Sequence, residues 1–245
     1  MSEITDLRDR LALMIRRCEE IVMATEQQGP QLVRDNVARN VDSFTLPVES
    51  QEHLVTAMSA ILQKVVAQTR RVLVLQKSMA DGLGDPDRLR EAARSINARV
   101  TGASTSLAER VHRSALTAVD NDDAWNGPGA EGYARVLDGR ADAVRQVAEV
   151  TAEVEELLDQ FADNLEKYYA TLLTTVGRLY GALLGIAGAV ATGPTGVGPL
   201  RGIATSVASL VDLLIEHVHD LVEKNAVIEH RLRELGENTM DWPNR

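Results

Sequence analysis

Apolar side chains recur along almost the whole chain in alternating steps of three and four, the spacing that puts them on one face of an α-helix. Leu7, Leu11, Met14, Cys18, Ile21 and Thr25 form the first such seam, which runs up to Gly29-Pro30. Proline cannot donate to the preceding turn and disfavours helix at the residue before it, so the helix is expected to kink or restart there. Leu32, Val33, Val37 and Val41 supply a second short face, and the stretch from Ser43 to Ser50, with Pro47, reads as a turn.

A second long seam runs through Leu54, Met58, Ile61, Val65, Gln68, Val72, Leu75 and Met79, widened by Val55, Leu62, Val66 and Leu73. A stripe that broad needs more than one neighbouring helix to cover it. Two glycines and Pro86 in the segment Asp81 to Pro86 end it, and Asp85 is placed to cap a third helix with Pro86 as its first residue. The third seam is Leu89, Ala93, Ile96, Val100, Ala103, Leu107 and Val111. In the fourth, Val144, Val147, Thr151, Val154, Leu158, Phe161, Leu165, Tyr168 and Leu172 follow one another without a break. A helix from about Ala130 to Ala191 would be on the order of 90 Å long, which implies a rod.

Leu179 to Leu200 is a run of 22 residues without a charge, broken by the glycines and prolines of Gly193 to Pro199, and ten more uncharged residues follow Arg201. The arm before the break has 14 residues, short of the roughly 20 that an ordinary membrane-spanning helix needs. It reads instead as the apolar tip of a helical hairpin, with Leu183, Leu184, Ile186, Val190, Val197, Leu200, Ile203 and Val207 as the residues that would meet a membrane. The last seam, Ile203, Val207, Leu210, Leu214, His217, Leu221, Asn225, Ile228, Leu232 and Leu235, returns along the rod and is expected to stop at Gly236.

The pattern predicts an all-α fold: an elongated antiparallel helical bundle with coiled-coil-like seams. Its expected parts are an N-terminal hairpin over residues 1–80, a second hairpin over 87–178, the apolar tip and returning helix over 179–235, and a flexible tail over 236–245. The tail carries Trp242, which reads as incidental or as part of an interaction peptide.

Composition narrows the function classes. Aromatics make up only 3% of residues against 44% hydrophobic overall, which suits aliphatic helix packing better than a sheet-built core. The formal net charge of −10 argues against nucleic acid as a partner, because phosphates need cations to displace their counterions. The single cysteine, Cys18, lies on an apolar seam and reads as a buried, inert thiol. Met1 to Arg17 mixes both charges without an apolar core, so it is not a Sec-type signal peptide.

Enzyme chemistry finds little to stand on. Glu109 with His112 and Glu216 with His219 have the Glu-x-x-His spacing of di-iron bundles. At 100° per residue, however, each pair lies about 200° and 140° from its seam residue, Leu107 or Leu214, and so points away from a bundle core. His217 and His219 with Asp220 and Glu223 would make a weak surface metal site or a pH-sensitive acidic patch. The Gly193 to Gly202 stretch lacks the Gly-Lys-Ser/Thr of a phosphate loop, and no Gly-x-Ser-x-Gly occurs. No catalytic residues, metal or cofactor are assigned, and the chain is expected not to be an enzyme.

The remaining punctuation is Asp123-Ala124-Trp125-Asn126-Gly127-Pro128-Gly129-Ala130-Glu131-Gly132-Tyr133, a Gly- and Pro-rich turn between two helical patterns. Trp125-x-Gly127 between amphipathic helices, followed by Ala130 and Tyr133, resembles the WXG-type substrates of type VII secretion systems. The resemblance covers Asp87 to Leu173, and a plain helical hairpin capped by Trp125 is the alternative. It implies that Trp125 and Gly127 are the secretion and turn motif with Tyr133 packed beside it, in a helix-turn-helix hairpin. In that family two such hairpins pair into a four-helix bundle; here Leu7 to Met79 is expected to supply the second in cis. The family's Tyr-x-x-x-Asp/Glu signal is missing: Tyr133 is followed four places on by Leu137, with Asp138 one step late, and Tyr168, Tyr169 and Tyr180 lack it too.

The resemblance implies a secreted or cell-surface protein, exported without a signal peptide, whose partners are the type VII machinery or a co-secreted helical protein. Two further readings stay open. The apolar hairpin 179–211 is similar to those of α-helical pore-forming toxins, which implies a membrane as target and a possible homo-oligomer. The absence of a signal peptide also suits a cytoplasmic helical adaptor or chaperone.

Overall fold

The computed structural model describes residues 3–41, 47–111 and 127–237, and every regular element among them is helical. The order is α1 (Glu3–Val41), α2 (Val48–Gly82), α3 (Pro86–Ile96), a π-helical segment (Asn97–Thr101), α4 (Gly102–Val111), α5 (Pro128–Ala191), a 3₁₀ turn (Gly193–Gly196) and α6 (Val197–Glu237). The chain forms two compact units. One is Met1–Gly84 with Glu166–Leu221, the other Asp85–Leu165 with Val222–Arg245. Both are discontinuous in sequence.

In the first unit, α1, α2, the end of α5 and the start of α6 close around one aliphatic core. Leu11, Ile15, Cys18 and Val22 from α1 meet Met58, Leu62, Val65 and Val72 from α2, Leu172, Val176, Leu179 and Leu183 from α5, and Leu200, Val207 and Leu214 from α6. Burying each such side chain contributes about 1.5–3 kcal/mol. Helix α1 does not restart at Pro30; it is continuous to Val41. The proline costs a backbone hydrogen bond to Glu26, but the helix is held on both sides of it by packing. Val33 and Val37 are buried beyond it, and Gly29 lies so close to α2 that a Cβ there would stand 2.4 Å from Leu62 Cδ2. Leu32, assigned to the buried face from its spacing, is 45% exposed.

The second unit is packed by small residues. Ala93, Ala108, Ala141, Ala143, Ala148 and Ala162 are buried, with Leu137, Leu157 and Ile228 among the few larger ones. Asp85 caps α3 by accepting from the Asp87 N–H at 3.1 Å, and Pro86 opens the helix, as the sequence predicts. Polar pairs then set the register against α5: Arg90 Nη2 to Asp163 Oδ1 at 2.7 Å, Asn97 Nδ2 to Glu155 Oε2 at 2.8 Å and Thr101 Oγ1 to Thr151 Oγ1 at 3.0 Å. Partners recede along α5 as they advance from α3 towards α4, so these stretches run antiparallel.

The third seam does not continue as its spacing predicts. In the π segment the Gly102 N–H donates to Asn97 O, five residues back, which inserts one residue into the helical phase. The inward positions after it are therefore Thr101, Ser104 and Ala108, each one residue later than the predicted Val100, Ala103 and Leu107, which face outwards. At the chain's other end, α6 runs one residue past the expected stop at Gly236. Trp242 lies outside the described residues.

Candidate functional site

The turn that sequence analysis singled out is seen from Gly127 onwards, and Trp125 lies outside the described residues. Gly127 has φ +113°, a backbone conformation that side-chain-bearing residues rarely adopt. Its carbonyl accepts from the Ala130 N–H at 2.9 Å and the Glu131 N–H at 3.1 Å, so it starts α5, with Pro128 as the first helical residue. Glu131 in the first turn adds a carboxylate at the positive end of the helix dipole. Tyr133 is 42% exposed on the outer surface of α5.

The eight residues assigned to the apolar tip divide by environment. Leu183, Ile186, Val190, Leu200 and Val207 are buried in the core of the first unit, Val197 and Ile203 are half-buried, and Leu184 is 54% exposed. The 3₁₀ turn that joins the two arms packs against α1. It demands glycine at Gly196, where a Cβ would fall 1.9 Å from the carbonyl oxygen of Ala189. Arg178 does not end the apolar helix, which is continuous through it. With that residue included, α5 contains an 18-residue stretch of mean hydropathy 1.4, and the segment Gly193–Glu237 contains one of 1.3. Both helices are thus long and apolar enough to cross a membrane, although 39% and 28% of those stretches are buried in the fold.

Sequence reasoning missed two groups in the first unit. Thr69 and Gln76 are fully buried on α2, as members of the seam Met58, Leu62, Val65, Thr69, Val72, Gln76. Their regular step of three and four was the available signal, hidden because their side chains are polar. The other group is a clasp. Arg8 Nε donates to the Tyr169 hydroxyl at 2.8 Å, its guanidinium lies 5.2 Å from that ring's centroid, and Nη2 donates to Gly84 O at 3.1 Å. One arginine therefore joins the start of α1, the residues after α2 and α5.

Beside this clasp is an open cleft of about 720 Å³ whose walls include Ile15, Glu19, Lys77 and Asp81. Its Lys77 is paired with Glu19 at 2.5 Å. A smaller cleft of about 310 Å³ is lined by Thr171, Thr174, Thr175, Arg178 and His217. The threonine hydroxyls there donate to the Lys167, Ala170 and Thr171 carbonyls one turn back in the same helix. Cys18 is fully buried, and burial, reinforced by nearby Glu19, pushes its thiol up to about 11. Burial likewise pushes Tyr168 up to about 12. Neither group is ionised near neutrality.

Glu216 and His219 are exposed, as their angle from fully buried Leu214 predicts. Glu109 is exposed too, although its reference residue Leu107 faces outwards, and His112 lies outside the described residues. Among the described residues no three or more His, Cys, Asp or Glu side chains gather as metal ligands. Comparisons with models of protein families, with curated proteins and with solved structures give no match.

Proposed function

We propose that this chain is a non-enzymatic helical protein exported by a type VII route, in which the W-x-G hairpin is part of what the export machinery or a co-secreted helical partner reads. The observation that carries the reading is Gly127. Its φ of +113° is a conformation for which glycine is suited, and it stands two residues after Trp125 at the start of a 64-residue helix. The motif's glycine thus has a structural reason to be there, separate from the sequence resemblance. The antiparallel pairing of α3 and α4 with α5 suits a hairpin joined by such a turn.

The test is fractionation of the native host into cells and culture filtrate, for wild type, Trp125→Ala and Gly127→Ala, with and without the type VII ATPase. Export that needs the ATPase and is lost in both variants supports the proposal. Retention of folded wild type inside every strain would refute it and leave a cytoplasmic adaptor.

A second reading is membrane insertion by the hairpin of α5 and α6, after export or independently of it. It is favoured by the two membrane-length apolar stretches, by their limited burial and by Leu184, a large apolar side chain exposed on the hairpin. Flotation with phosphatidylcholine vesicles tests it. Binding abolished by Ile186→Asp with Val207→Asp supports insertion, and absence of flotation at every pH refutes it.

A further inference from the structure

A cleft of about 490 Å³ lies between α1 and α2 in the first unit, walled by Thr25, Glu26 and Pro30 on one side and by residues of α2 from Ser59 to Arg70 on the other. That size falls within the range of small-molecule sites. Its apolar lining is Leu62 and Val66, both buried, with Ala67 and the ring of Pro30. Two contacts set the spacing of its walls. Gly29, next to Pro30, lets α1 come so near α2 that a Cβ there would stand 2.4 Å from Leu62 Cδ2, and Glu26 of α1 pairs with Arg70 of α2.

Pro30 gives this cleft a chemistry of its own. Proline carries no N–H, so the Glu26 carbonyl loses the donor that residue 30 supplies in an ordinary helix. Helix α1 nevertheless runs unbroken through that turn, and the carbonyl stays on the turn between Glu26 and Pro30, both of which line the cleft. A backbone acceptor without its partner favours any donor that can reach it. Around it the formal charges cancel, because Glu26 and Arg70 are the charged side chains of the lining and they are paired. The other polar groups of the lining are Thr25, Ser59 and Gln63.

We infer that the cleft between α1 and α2 binds a compact, neutral, apolar molecule bearing one N–H or O–H donor. Leu62, Val66 and Ala67 cover its body, and the Glu26 carbonyl accepts from its donor. Neutrality follows from the lining. An anion would meet the bare carbonyl oxygen, and a cation would have to compete with Arg70 for the Glu26 carboxylate.

The experiment uses the full chain with indole, whose bicyclic body carries one N–H, and with 1-methylindole, which has the same body without the donor. Isothermal titration calorimetry and saturation-transfer NMR follow both. Indole should bind at one site per chain and about fivefold more tightly than 1-methylindole, the worth of one neutral hydrogen bond. Pro30→Ala returns an N–H to the Glu26 carbonyl, so it should weaken indole to the level of 1-methylindole and leave 1-methylindole unchanged. Ala67→Phe, at an exposed position where the ring fills the cleft without entering the core, should abolish binding of both. Circular dichroism checks that each variant is folded, and Gln63→Phe provides a second block should Ala67→Phe misfold. Absence of indole binding would overturn the site, as would binding that survives the block. Equal affinity of wild type for the two probes, or a preference for indole that persists in Pro30→Ala, would overturn the role of the carbonyl.

Discussion

Gln76→Met isolates the cost of the buried amide on α2. Methionine nearly matches glutamine in length and volume, so the swap removes Nε2 and Oε1 from the core with little repacking, a class of change that usually costs less than about 1.5 kcal/mol. A buried polar group without a partner costs about 1–3 kcal/mol, and here two such atoms sit on one fully buried amide. The expected balance is a gain of about 2 kcal/mol. For a chain of this size that corresponds to a rise of roughly 4–8 °C in Tm. Urea unfolding followed by circular dichroism should show a higher midpoint at unchanged slope, and hydrogen exchange should slow in the peptide spanning Val65 to Met79. A midpoint that stays put or falls would refute the reasoning, because it would mean the amide is satisfied in solution.

Gly196→Ala should destabilise the first unit by several kcal/mol, because its Cβ would collide with a backbone carbonyl that cannot swing aside; loss of the cooperative urea transition checks this. Pro30→Ala should stabilise α1 by up to about 3 kcal/mol, since the helix already runs through that position without the missing hydrogen bond; a lower urea midpoint would contradict it. The Cys18 thiol, raised to about 11, should resist alkylation in the native chain at pH 8 and react on unfolding. Its pKa is higher folded than unfolded, so its contribution is fully present below about pH 9 and is lost as pH rises towards 11, by at most about 3 kcal/mol. Urea midpoints of wild type and Cys18→Ala across that range measure it.

Several features were legible because their causes are local. Steps of three and four place Leu11, Cys18, Val65, Leu172 and Val207 on buried faces whatever the neighbouring helix is. Asp85 and Pro86 start α3 by their own backbone chemistry, and the glycines and prolines after Ala191 turn the chain there. Gly127 and Pro128, within the Gly- and Pro-rich stretch, likewise open α5.

Tertiary structure decided what depends on distant partners. Pro30 stays helical because α2 packs beside it, a contact no nearby residue announces. The π segment turns Val100 and Leu107 outwards as Asn97 and Thr101 meet Glu155 and Thr151, more than 40 residues away. Gln76 is buried although its chemistry prefers water, because the apolar residues on either side of it in the seam have a core to fill. The chain's own periodicity determined that it is helical and which faces are apolar, because those follow from spacing along one helix. Which helices cover those faces, and which polar groups are trapped beneath them, was decided only when distant segments came together.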